Sequence, residues 1–206
     1  EYSLLPGSTD SRFRRERRGA KGRTQEIERL VARSLRAAVD LEELGPIALN
    51  VDCDILNADG GTRCASITAA NLALRLGVRR LIAAGICLPQ NMRPTEEQRR
   101  SGWSAPVLSG DEKKAHEMRV MPHDVAAISV GLIDGKSYLD LDYNLDSNAD
   151  VDMNVVKVSD GSFVEVQGTG EEATYQREEL DALLDMADIG FSSLFEMQKS
   201  ILDGQE

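Results

Sequence analysis

The sequence predicts a mixed α+β domain with helices laid on one face of a sheet. Three observations carry that expectation. Apolar residues recur at helical spacing over 27–39 and again over 180–201. Apolar and polar residues alternate strictly over 47–55, as in a half-buried strand. Beyond Val125 the β-rich stretches flank two Asp-Gly pairs, Asp134-Gly135 and Asp160-Gly161, which are strong hairpin cues.

The first stretch, to about Lys21, is polar and Arg-rich, and Pro6 and Gly7 interrupt any regular pattern. From Thr24, a plausible N-cap with Glu26 in the first turn, Ile27, Leu30, Val31, Ala38 and Val39 recur about every 3.6 residues. This helix is expected to stop near Gly45-Pro46. A strand follows over 47–55, with Ile47, Leu49, Val51, Cys53 and Ile55 on one side. Ala58-Asp59-Gly60-Gly61-Thr62-Arg63 then turns into a second helix over Ala65–Leu76, expected to end at Gly77. Residues 88–121 are polar and punctuated by prolines, and are expected to form an inserted surface loop with one short helix around Glu112–Arg119. Strands are expected over Val125–Ile133, Ser137–Tyr143, Val151–Val158 and Phe163–Val166, then a helix over Arg177–Leu202 with a break at Gly190. The whole of 1–206 reads as a single domain.

The overall charge of -11 argues at face value against nucleic acid, because a phosphate backbone repels a negative surface. Its distribution reverses that argument. Residues 140–206 hold 17 acidic and 3 basic residues, a net of -14, and residues 1–139 hold 18 acidic and 21 basic, a net of +3. Arg12, Arg14, Arg15, Arg17, Arg18, Lys21 and Arg23 crowd the start against a single Glu16. The three cysteines, Cys53, Cys64 and Cys87, form no C-x-x-C arrangement, which favours a reducing compartment over a disulfide or zinc framework. His116 and His123 have no partner at metal-ligand spacing and read as solvated loop residues. No apolar run approaches the roughly 18 residues of a membrane span, and no stretch reads as a signal peptide. The chain opens on Glu1-Tyr2 and not on methionine, as expected of a fragment whose beginning is missing.

Two constellations carry chemistry. Glycines let backbone N–H groups approach an anion, and the helix after Gly60-Gly61 adds its positive end. Arg63 adds a planar fork suited to phosphate oxygens, and Arg23 stands beside the other helix start. The same spacing also fits a plain tight turn with two surface arginines. The second constellation is Asp146, Asp150 and Asp152 between the strand pairs. Such carboxylates suit a hydrated divalent cation or a general acid, and they equally suit a solvated acidic turn. Asp140 and Asp142 read as the solvent face of the preceding strand. The arginines at 12–18 suit either a phosphate-neutralising stripe or a solubilising tail.

Several segments together resemble ribonuclease PH, the family of phosphate-dependent 3′-to-5′ exoribonucleases that trim tRNA precursors. The resemblance runs through Gly22-Arg23-Thr24 and its helix, Val51-Asp52-Cys53-Asp54 and Ala58-Asp59-Gly60-Gly61-Thr62-Arg63. It continues through Ser129-Val130-Gly131, Asp152-Met153-Asn154-Val155-Val156 and Glu165-Val166-Gln167-Gly168-Thr169. It implies a ribosomal protein S5 domain 2-like βα fold, here without its opening strands, and a homo-hexameric ring; a cytoplasmic setting is expected because no signal or membrane segment is seen. It implies that inorganic phosphate attacks the 3′-terminal phosphodiester and releases a nucleoside diphosphate. By match of motif, Arg23, Gly61, Thr62 and Arg63 bind the phosphate, Asp146 and Asp152 are catalytic carboxylates and Mg2+ ligands, and Arg12 and Arg15 hold tRNA precursors and other RNA 3′ ends.

The chain departs from the family at Gly7, where members often carry arginine, at Cys64, where threonine is usual, and over 88–121, which exceed the family's short connection. A different class of protein, a non-catalytic RNA-binding ring subunit of an exosome-like assembly, is the alternative. Arg23, Thr62, Arg63, Asp146 and Asp152 are all present and count against it.

Overall fold

The computed structural model describes residues 1–14, 16, 19–170 and 173–204. The elements run β1 (Tyr2–Leu4), α1 (Gly22–Ala37), α2 (Leu41–Leu44), β2 (Cys53–Ile55), α3 (Thr62–Ala83), α4 (Glu96–Arg100), α5 (Gly110–Val120), β3 (Val125–Ile133), β4 (Lys136–Leu139), α6 (Tyr143–Asp146), β5 (Val151–Val158), β6 (Phe163–Gly170) and α7 (Arg177–Asp203). β1 and β2 form a parallel pair, and the other four strands form an antiparallel sheet ordered β4-β3-β5-β6.

The alternation of side chains along β3 and β5 divides the core in two. Val125, Ala127, Val156 and Val158 pack with Ile27, Leu30 and Val31 of α1 and Ile67, Leu74 and Val78 of α3. Ala126, Ile128, Val130, Val151, Met153 and Val155 pack with Leu183, Ala187 and Phe191 of α7. Successive residues of a strand point to opposite faces, so α7 covers the face opposite α1 and α3. The expectation of helices on one face is therefore corrected: each face of β3 and β5 is apolar and each takes a helix.

Several boundaries differ for local reasons. α1 starts at Gly22 with Lys21 as its N-cap, and the Thr24 hydroxyl donates to Glu16 Oε1 at 3.1 Å instead of capping. The chain leaves the helix at Ala38 and restarts as α2, because Asp40 accepts from the N–H groups of Glu42 and Glu43 at 2.9 and 3.0 Å. Only Cys53–Ile55 of the expected 47–55 strand is paired, opposite Tyr2–Leu4. α3 runs straight through Gly77 to Ala83, since Val78 and Ile82 continue its buried stripe and offset a glycine's cost of about 1 kcal/mol. α7 is also unbroken at Gly190. A Cβ there would lie 2.2 Å from Ile128 Cδ1, so this glycine admits β3 and is not a hinge.

The hairpins match expectation at their turns. Asp134 and Gly135 both have positive φ, 51° and 72°, as a type I′ turn requires. β4 stops at Leu139, short of the expected Tyr143, and Asp142 becomes the N-cap of α6. β6 extends past Val166 to Gly170.

Residues 88–121 carry a single 3-10 turn at Gln90–Met92 and the helices α4 and α5. α5 packs on α3 through Arg75, which is 4% exposed. Arg75 donates to Asp124 Oδ1 at 2.7 Å, Glu117 Oε1 at 3.2 Å, and the carbonyls of Met121 and His123 at 3.0 and 3.1 Å. Arg79 adds a contact to Glu117 Oε2 at 2.9 Å. His116, expected in solvent, is fully buried on this helix, 3.6 Å from Cys87 Sγ and 3.7 Å from Glu43 Oε2. Burial holds its pKa below the ordinary 6.5, and the Arg119 cation lowers it further. His123 is partly exposed, with Nε2 3.7 Å from Asp160.

Candidate active site

One register decision builds the site. Asp152 and Asn154 of β5 project from the α1–α3 face, opposite Thr169 and Gln167 of β6. Ser129 of β3 lies on the same face, as the partner of Asn154. At this end of the sheet the N-termini of α1 and α3 converge, and a cleft of about 1060 Å³ opens between them. Arg23, Gly61, Thr62, Arg63, Asp146 and Asp152 all line it. Ser11 and Phe13 line the same cleft, with exposed Arg12 between them. Arg15, the other arginine expected to hold RNA, lies outside the described residues.

The glycine turn shapes one wall. Gly60 and Gly61 both have positive φ, 76° and 52°, and Gly61 is the N-cap of α3, with no side chain to satisfy the helix. The first hydrogen bond of α3 runs from Ala65 N to Gly61 O at 2.9 Å. The N–H groups of Thr62, Arg63 and Cys64 precede it and form an anion-attracting end. Tyr2 donates its hydroxyl to Thr62 Oγ1 at 2.9 Å, leaving the threonine its own proton to donate. Arg63 reaches Glu26 Oε2 at 3.0 Å through Nη2, and its Nε is buried with no hydrogen-bond partner. Arg23 stands in the first turn of α1.

The opposite wall carries the carboxylates. Asp152 is fixed by β5, and Asp146 by α6, whose N-cap Asp142 accepts from Leu145 N at 2.8 Å. Tyr143 N donates to Asp59 Oδ1 at 3.2 Å, which ties α6 to the glycine turn. Asp150 does not join them. Its Oδ2 accepts from Asp134 N at 2.9 Å and steadies the β3–β4 hairpin. Cys64 faces the same region but is no nucleophile. Burial raises its thiol far above the ordinary value, the Asp152 carboxylate adds to the rise, and Sγ donates to Asn154 Oδ1 at 3.1 Å.

Among the described residues no three His, Cys, Asp or Glu side chains form a metal-binding group. Two carboxylates in a polar cleft fit magnesium, which keeps several waters and binds through one or two carboxylates plus phosphate oxygens.

Sequence reasoning did not name Ser129, Asn154, Gln167 or Thr169 as site residues. Asn154 shares the alternation that singles out Asp152, Ser129 is its cross-strand partner on β3, and Gln167 and Thr169 lie on a strand expected to stop at Val166.

The two helix N-termini, the cleft and the acids on its other wall, set on one face of a four-stranded antiparallel sheet, define an α+β protein with a polar cleft. Solved structures with the same fold include rice (Oryza sativa) Rrp46, at TM-score 0.59 and 12% identity over 98% of this chain and 72% of that one. The Archaeoglobus fulgidus exosome with RNA bound to the active site matches at TM-score 0.56 and 20% identity, over 90% of this chain and 64% of that one. The architecture is the ribosomal protein S5 domain 2-like fold.

Residues 1–77 match domain 1 of the 3′ exoribonuclease family, and residues 123–190 match its domain 2. The chain is 47% identical over 203 residues to ribonuclease PH of Rhodopirellula baltica, covering 98% of this chain and 73% of that protein. It is 45% identical over 199 residues to ribonuclease PH of a Synechococcus species, covering 97% and 69%. Against ribonuclease PH of Corynebacterium efficiens it is 47% identical over 204 residues, covering 98% and 71%. The chain belongs to the 3′ exoribonuclease (RNase PH) family.

Proposed function

We propose that this chain is a phosphate-dependent 3′-to-5′ exoribonuclease, a nucleotidyltransferase that trims the 3′ ends of tRNA precursors and releases nucleoside diphosphates. One observation carries the reading. A single cleft gathers Arg23, Arg63 and the open N-terminus of α3 with the carboxylates Asp146 and Asp152.

Inorganic phosphate is the nucleophile, so the protein needs no nucleophilic side chain. The Arg63 fork, Arg23, the Thr62 hydroxyl and the N–H groups after Gly61 hold the phosphate dianion. One of its oxygens bonds to the terminal phosphorus of the RNA while the bond from that phosphorus to the preceding 3′ oxygen breaks. The shortened RNA keeps that oxygen as a hydroxyl, and the terminal nucleotide leaves as a diphosphate. Catalysis reduces to bringing two anions in line and neutralising them, the work of fixed cations and helix ends. A carboxyl at Asp146 or Asp152 can hold the proton the departing 3′ oxygen takes up. The same two residues would hold magnesium, which supplies positive charge to the phosphoryl group being transferred.

Arg12, exposed at the rim, and Arg15 are assigned to the RNA backbone. We read 1–206 as one domain with 88–121 as its insertion, an interval lying between the two family matches. We read the assembly as a hexameric ring. Three free cysteines support a cytoplasmic setting. Among the described residues no helix is long and apolar enough to cross a membrane.

The test incubates the chain with 3′-extended tRNA, with and without phosphate. Nucleoside diphosphates that form only with phosphate are expected, and monophosphates or phosphate-independent shortening overturn the reading. Arg63→Ala and Asp152→Ala should each lower turnover by about 10²- to 10³-fold with unchanged circular dichroism.

A further inference from the structure

We infer that Glu26 is the positioning residue that sets the working orientation of Arg63, and that Gln167 holds Glu26 in place. The inference rests on the phosphate reading of the cleft and deepens it. Three elements meet at this carboxylate. Glu26 lies on α1 three residues after Arg23, so both project from neighbouring parts of one helix face. Its Oε2 takes Arg63 Nη2 at 3.0 Å, and its Oε1 accepts from Gln167 Nε2 at 3.4 Å. The carboxylate thus bridges α3 to β6.

The leftover valences show the purpose. With Nη2 engaged, Arg63 Nε is buried and has no hydrogen-bond partner. A guanidinium donor left unmatched out of water is costly, so Arg63 is held at this place by its Glu26 contact and not by hydrogen bonds at Nε. Gln167 Oε1 is likewise buried without a partner. The pair itself adds little stability, because the Glu26 side chain is 39% exposed and that of Arg63 22%. Its effect is orientation: a guanidinium recognises phosphate through a fixed fork, and rotation about its long stem spoils the match.

The competing view is that Glu26 occupies the fork and must be displaced by phosphate. The two views predict opposite signs. Initial rates of phosphorolysis are measured on a 3′-extended RNA at varied phosphate and varied RNA, for wild type, Glu26→Ala, Glu26→Gln and Gln167→Ala. Each protein is also melted with and without inorganic phosphate.

The expected result is a phosphate KM raised about tenfold in Glu26→Ala, with the RNA KM within about twofold of wild type. Gln167→Ala should fall between. Glu26→Gln should largely restore the phosphate KM, since its carbonyl still accepts from Arg63 and its amide can donate to the open Gln167 Oε1. An unchanged or lowered phosphate KM in Glu26→Ala overturns the inference, as does a Glu26→Gln variant as impaired as Glu26→Ala. If Glu26→Ala does not fold, the Glu26→Gln and Gln167→Ala pair decides, and an unmoved phosphate KM in Gln167→Ala counts against it. A wild-type chain whose rate and melting ignore phosphate overturns the phosphate reading itself. A wild type that responds while the variants do not differ from it overturns only the role of Glu26.

Discussion

Replacing Gly60 with alanine is expected to damage the cleft far more than the same change at Gly61, although the two are adjacent and both have positive φ. Holding an L-residue in the left-handed region costs about 1–2 kcal/mol, and the stiffer unfolded chain returns about 0.4–1 of it. At Gly61 little is added. A Cβ there would sit 3.6 Å from Ser129 Oγ, ordinary contact, so Gly61→Ala should lose about 0.5–1 kcal/mol. At Gly60 a Cβ would lie 2.2 Å from Leu141 O and 2.8 Å from the Asp142 carbonyl carbon, both backbone atoms that no rotamer can move aside. Relieving that overlap adds about 1–3 kcal/mol, for a loss of about 1.5–4 kcal/mol in urea unfolding. The strain falls on Leu141–Asp142, the start of α6, and so displaces Asp146. Gly60→Ala should therefore lower turnover at temperatures where it is still folded, and Gly61→Ala should spare the carboxylate wall. Equal losses of stability and activity in the two variants would refute this reasoning.

Other expectations can be checked as directly. Arg75→Met should destabilise the chain by about 3–5 kcal/mol in urea titration, because it leaves Glu117 with Arg79 alone and takes the donor from two carbonyls and from Asp124. His116 has a depressed pKa, so the unfolded chain binds its proton more readily. Stability should begin to fall as pH drops below the ordinary 6.5 and finish falling beneath the depressed value. Denaturation midpoints of His116→Gln should lack that component. Arg12→Ala should weaken RNA binding by a similar factor for different sequences and flatten the log–log salt dependence by about one unit, as a phosphate contact does.

Signals confined to a few neighbouring residues were legible in the sequence. The Asp134-Gly135 turn was readable because a two-residue loop demands two positive φ values. β5 was readable because Asp152 and Asn154 interrupt a valine-rich run at every second place. The turn into α3 was readable because Gly60-Gly61 marks a break in the pattern, and both glycines take positive φ. What the sequence hid depends on partners far along the chain. Nothing near His116 shows that Glu43 and Cys87 close over it. Gly77 and Gly190 look alike as helix breakers, yet one is carried by the burial of Val78 and Ile82 and the other by the approach of Ile128. The apolar stripe of α7 shows that it packs, but which face it covers depends on how both faces of β3 and β5 are filled. Glu26 looked like a first-turn acid because its partners, Arg63 and Gln167, belong to other elements.

α3 is one unbroken rod that forms the cleft at Thr62 and is gripped at Arg75, about 20 Å further along its axis. The end proposed to face phosphate is thus aimed by a joint it never touches. The segment between the two family matches works as the mounting of that rod. Leu88, Leu108, His116, Val120 and Met121 bury that segment against the core beside Glu117, and a change that unseats Glu117 is expected to misalign the cleft without altering a single residue there.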